Sequence, residues 1–178
     1  MMTFEDILVP GRECNECTVC CINLQINEPE LQKKADEPCP NLSSGKGCAI
    51  YNDRPGVCRT WYCGWRIMPF VNEDMRPDKS RILIRTDGTP LFIFQPLEKD
   101  SVPRLLDEKV MEAIATVVLN DFKAQLSIPT HLGYCNAISE VNDALKPALS
   151  TLNLDQARKT MMNIISSAAC SSTLRVQN

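Results

Sequence analysis

Apolar residues recur along this chain in two rhythms, and each rhythm predicts its own kind of element. From Ser101 onward Leu106, Val110, Ile114, Val117, Val118 and Phe122 return at steps of three and four. That period lines one face of a helix. Ser101 is placed as its N-cap, Pro103 in its first turn and Pro129 as its end. Ser139 can cap a shorter helix with Val141 and Leu145, interrupted at Pro147. Asn153 and Gln156 resemble a capping box ahead of Ala157, Met161, Ile164, Ile165 and Ala168. The tail from Ser171 is expected to fray. Upstream, Ile82-Leu83-Ile84 and Leu91-Phe92-Ile93-Phe94 are unbroken apolar runs flanking Asp87-Gly88, a pair suited to a tight primed turn. Runs of this kind predict a hairpin covered on both faces, with Pro90 suggesting an edge position at the strand start.

The first part of the chain is less periodic. Phe4, Ile7 and Leu8 form a small apolar face on a lead-in over 1–13, helical or extended, that Pro10-Gly11 ends. Ile22, Leu24 and Ile26 alternate as in a short strand. Residues 28–38 suggest a helix with Pro29 in its first turn, and 39–49 a loop. Arg54-Pro55-Gly56 signals a turn, Val57–Trp65 a short helix, and 67–80 reads as irregular. The expected fold is α+β and mostly helical. An irregular cysteine-rich region, 1–66, packs on a small β-hairpin and C-terminal helices, 67–178, as one compact unit. No internal repeat or low-complexity segment is present.

Charge and length narrow the function. The 178 residues carry a net charge of −3 with no basic run. A duplex-binding face needs concentrated Lys and Arg, so nucleic acid is not an expected partner. A chain this long can bury roughly 70% of its unfolded surface and does not depend on metal alone for a core. Met1–Asp6 is acidic where a signal peptide is basic, and no apolar stretch is long enough to span a bilayer. The expected setting is cytoplasmic and reducing, without a membrane partner.

In that setting the ten cysteines change the picture. Eight lie before residue 64: Cys14, Cys17, Cys20, Cys21, Cys39, Cys48, Cys58 and Cys63. A disulfide scaffold would tie the whole chain together, whereas dense thiols in a reducing compartment favour metal. Thiolates are soft donors suited to iron–sulfur clusters and zinc. The steps Cys14-x-x-Cys17-x-x-Cys20 resemble the start of a bacterial ferredoxin run, and Cys39-Pro40 resembles its end, though much further along the chain. Four-thiolate zinc sites usually show a second C-x-x-C knuckle. Cys48, Cys58 and Cys63 do not supply one, which favours iron–sulfur over zinc. Adjacent side chains on an extended segment point opposite ways, so Cys20 and Cys21 are expected to serve two sites, or one of them none. Eight thiols make two four-cysteine sites, or one cluster with spare cysteines.

At these residues the chain resembles the CxxCxxCC (YkgJ-type) cysteine-cluster family, described as zinc- or iron-chelating. The resemblance rests on Cys14, Cys17, Cys20 and Cys21, on Cys39-Pro40, on Cys48-Ala-Ile-Tyr51, and on Arg54-Pro55-x-x-Cys58-Arg59 closing at Cys63. It covers roughly 14–66. The resemblance implies metal binding by these eight cysteines but no settled reaction. A similar cluster in flagellin-lysine methylases looks like an iron–sulfur site. No Gly-rich nucleotide fingerprint accompanies it here.

Other residues receive quieter expectations. Arg12, Lys46, Arg54, Arg59 and Arg66 lie among the thiols in sequence and can offset thiolate charge, Arg59 by donating to sulfur. Trp61, Tyr62 and Trp65 can shield the site. Cys135, Cys170, Met161 and Met162 read as structural, the single histidine, His131, as structural or exposed rather than a ligand or acid–base group, and Glu73-Asp74 and Asp107-Glu108 as solvated faces. Three functions remain. The first is an iron–sulfur protein, with a 4Fe-4S cluster in mind, for redox, sensing or cluster handling. The second is a zinc-stabilised module that binds a protein partner. The third is a metal-dependent enzyme that modifies another protein.

Overall fold

The computed structural model describes residues 7–43, 47–86, 91–138 and 140–176. Seven α-helices, ten strands and several 3-10 segments alternate along the described residues, a mixture of helices and small sheets.

The central sheet grows from the two apolar runs. Strands β5 (Ile82–Thr86) and β6 (Leu91–Pro96) pair antiparallel, Ile84 opposite Phe94. The turn at Asp87-Gly88 and Pro90 lie outside the described residues. Strand β6 is central rather than an edge, because β7 (Lys123–Leu126) adds parallel to it, Phe92 beside Ala124. A parallel neighbour requires a crossover, and the chain makes it through a 3-10 segment, Lys99–Leu106, and helix α5 (Glu108–Leu119). The single helix expected from Ser101 is thus two elements. Asp107 takes extended angles between them, Pro103 lies inside the 3-10 segment, and Ser101 is buried there rather than capping.

Alternation along β5 decides what each face meets. Ile82 and Ile84 join the main core with Phe94, Leu105, Ile114, Leu145 and Met161. Leu83, also fully buried, faces a second cluster with Val19, Leu24 and Leu97. The hairpin is therefore covered on both faces, and its second face carries the cysteine-rich segment. Helices α6 (Asn142–Ser150) and α7 (Leu154–Ala168) close the main core. Asn153 Oδ1 accepts from Gln156 N at 3.0 Å and starts α7 as its sequence suggested. Pro147 sits inside α6 without interrupting it. Ser139 lies outside the described residues.

Pro129 belongs to a strand rather than to a helix end. Strands β8 (Ile128–His131), β9 (Tyr134–Asn136) and β10 (Thr173–Arg175) form an antiparallel sheet, so the segment expected to fray pairs instead with β9. Within 67–80, Glu73–Met75 makes a 3-10 turn and Pro77–Ser80 a helical turn, α4, with Pro77 at its start. Among the described residues no helix is long and apolar enough to cross a membrane.

Candidate metal centre

The residues expected to form a strand after the thiol run instead begin as a helical turn, α1 (Val19–Asn23), which carries Cys20 and Cys21. Ahead of it Cys17 N donates to Cys14 O at 2.7 Å, closing the C-x-x-C turn, with Asn15 left-handed at φ 42°. The helix expected over 28–38 is a hairpin of β1 (Ile26–Glu28) and β2 (Leu31–Lys33). Its true period is two: Leu31, Lys33 and Ala35 are buried, while Gln32 and Lys34 are exposed. The hairpin is held from within. Lys33, only 8% exposed, donates from Nζ to the carbonyls of Ile22 (2.9 Å), Leu24 and Lys34 (2.9 Å). Ile22 and Leu24 lie in and just past the last turn of α1, where main-chain carbonyls are short of partners, and Lys34 just follows β2.

Cys39 N donates to Cys21 O at 2.9 Å, and Leu42 N to Cys39 O at 3.0 Å. Within the expected loop, β3 (Leu42–Ser43) pairs with β4 (Gly47–Cys48), Leu42 opposite Cys48. Gly47, at φ +75°, stands so close to the first turn that a Cβ would meet Asn15 O at 2.6 Å. Val57–Trp65 is not one helix. Cys58 lies on α2 (Gly56–Thr60), and Cys63 precedes α3 (Gly64–Ile67), with extended backbone at Trp61 and Cys63 around the break. Glu30 Oε2 accepts from Gly56 N at 2.9 Å and ties α2 to the β1–β2 turn.

These connections put all eight thiols, from Cys14 to Cys63, around one cavity of about 130 Å³. None is in a disulfide, and Cys135 and Cys170 lie apart from it. Trp61 and Tyr62 line the wall with Arg54 and Arg66, whereas Trp65 belongs to the main core. A polar recess of about 970 Å³ shares Cys48, Tyr51 and Arg66 with it. Among the described residues no three Cys, His, Asp or Glu side chains already converge on a single ion-sized point.

Burial dominates the thiol electrostatics. It pushes Cys17 up to about 11 and Cys63 up to about 12, and raises Cys58. Cys20 and Cys21 touch: Cys20 donates to Cys21 and is raised by that bond, and Cys21 is lowered to about 7 by accepting it, helped by Lys33 and Arg54. Burial lowers Lys33, and the nearby Cys39 and Cys21 oppose that shift. Asp78, held low by two bonds from Arg76 at 2.7 and 2.6 Å, also contacts Cys17.

The cations divide by role. Arg66 is 7% exposed, and its Nε and Nη1 have no hydrogen-bond partner; Arg54 Nε is likewise unpartnered, its guanidinium lying 3.9 Å from the Tyr51 ring centre. Arg12 instead braces the backbone, donating to the carbonyls of Trp65, Met68 (3.1 Å) and Val71 (2.5 Å). Arg59 is exposed, and Lys46 lies outside the described residues. Lys33 escaped the sequence reading because a lysine in a mixed polar segment looks like surface. Its one signal was the alternation Leu31, Lys33, Ala35.

Away from the cavity, His131 is exposed and stacks on Tyr134 at 4.4 Å. Glu73 pairs with Lys79 at 2.8 Å on the surface. Met161 is buried and Met162 exposed. The chain matches no protein-family model, no curated protein and no solved structure.

Proposed function

We propose that this is a metal-binding cysteine-cluster protein carrying an iron–sulfur cluster, used for redox, sensing or cluster handling in a reducing, cytoplasmic setting. One observation carries the reading. Eight thiols from six separate elements and turns line a single cavity, and none is spent on a disulfide. Thiolate is the donor such clusters take.

The cavity's size favours a cluster over a lone ion. One water needs roughly 10–15 Å³ of such space, and about 130 Å³ is open here. Four thiolates on one zinc draw together to about 3.8 Å from each other, from tetrahedral bonds of roughly 2.3 Å. A polynuclear core fills the middle and leaves its sulfurs further apart, and among the described residues no three donors already converge on one ion-sized point. The unpartnered guanidinium nitrogens of Arg54 and Arg66 support the same reading. Arg66 is buried 5.6 Å from the Tyr62 ring centre and Arg54 is half-buried against Tyr51, and a thiolate-bound cluster is an anion that would accept from those N–H groups. The resemblance to the CxxCxxCC family, over the same eight positions, points the same way.

Anaerobic purification tests this. The chain should be brown, contain iron and acid-labile sulfide, and bleach in air, and Cys17→Ser should retain less iron. Colourless protein with stoichiometric zinc would replace the cluster by a structural zinc site.

A further inference from the structure

Resting on that reading, we infer that the eight cysteines form two thiolate-ligated centres, one held by Cys14, Cys17, Cys20 and Cys63 and the other by Cys21, Cys39, Cys48 and Cys58. The division follows neighbours in space, and sequence order hides it, since Cys63 is the last of the eight and joins the first three.

Packing separates the first set. Cys17, Cys20 and Cys63 all pack on the second apolar cluster, with Val19, Leu24, Leu83 and Leu97. Cys14 joins them through the turn in which it accepts from Cys17 N. Backbone bonds separate the second set. Cys39 N binds Cys21 O, Leu42 N binds Cys39 O, and Leu42 pairs with Cys48. Cys58 closes it: it lies on α2, which the bond from Gly56 N to Glu30 Oε2 ties to the β1–β2 hairpin between Cys21 and Cys39.

Cys20 and Cys21 are the junction. Neighbouring residues on a helix point about 100° apart, from 3.6 residues per turn. The α1 turn therefore offers one sulfur to each side, and their mutual contact sets the two centres next to each other. The extended geometry expected from sequence is not needed for that split. The surroundings differ too. Lys33 and Arg54 lie beside the second set, while the first set has an apolar wall and Asp78.

Metal content of the full-length chain, reconstituted anaerobically with iron and sulfide, decides the matter. Wild type should hold two centres. Cys63→Ser and Cys17→Ser should each remove one, and their combination no more than one. Cys58→Ser and Cys39→Ser should remove the other, and Cys63→Ser with Cys58→Ser should remove both. Circular dichroism of each variant verifies folding, and the wild-type stoichiometry needs no variant. One centre in wild type, or loss of both on a single substitution in a folded variant, overturns the division while leaving metal binding intact. A wild-type chain that takes up no metal overturns both. Two equivalents of zinc instead of clusters would sustain the division and replace the metal.

Discussion

Lys33 is a buried ammonium whose acceptors are three main-chain carbonyls. Replacing it with methionine leaves the side-chain volume nearly unchanged but strips those carbonyls of their donor. An orphaned buried polar group costs about 1–3 kcal/mol. Lys33→Met should therefore lower the unfolding free energy of the metal-free chain by an amount in that range, read from urea titration, and an unchanged urea midpoint would contradict the assigned role. The same residue shows where sequence reading stops. The run Cys14, Cys17 and Cys20 was legible as a cluster because repeated C-x-x-C steps have few other uses. A lysine has many, and only the paired backbone of β1 and β2 turns it inward. Arg59, adjacent to Cys58 in sequence, points the other way: adjacency in the chain does not make a neighbour of the sulfur.

At the scale of elements, the strands legible in advance were those with unbroken apolar runs. Burial on both faces leaves no other reading for Ile82–Ile84. Strand β7 was not legible: Lys123-Ala124-Gln125-Leu126 alternates polar and apolar, but four residues are too few to stand out, and the parallel partner β6 defines it. Pro29 misled in the opposite direction, since a proline that can open a helix can equally sit in a hairpin turn. Close packing between elements gives a direct test. A Cβ on Gly64 would stand 2.5 Å from Ile84 Cγ2, where α3 crosses β5. Gly64→Ala should cost about 1–3 kcal/mol through forced displacement, read as a lower melting temperature. A neutral result would mean that α3 does not sit this close to the sheet. On the same strand, Leu83→Ala removes the wall behind Cys17 and Cys20. It should cost about 2–5 kcal/mol and quicken bleaching of the reconstituted protein in air. Stability loss without faster bleaching would show that this wall does not protect the site.

For the whole molecule, the mixture of helices and small sheets was legible, as was a hairpin covered on both faces, whereas which strand residue faces which part was not. One β-strand, β5, joins them, with Ile82 and Ile84 in the main core and Leu83 against the cysteine-rich segment. The thiol cavity thus rests on a conventional apolar body rather than replacing one, and loss of metal should leave that body folded. Iron and acid-labile sulfide, measured with a visible spectrum on protein isolated without air, test the central claim most directly. The account predicts both elements in stoichiometric amount and a broad visible absorption that disappears on oxidation. Colourless protein with eight freely titrating N-terminal thiols and no bound metal would contradict it.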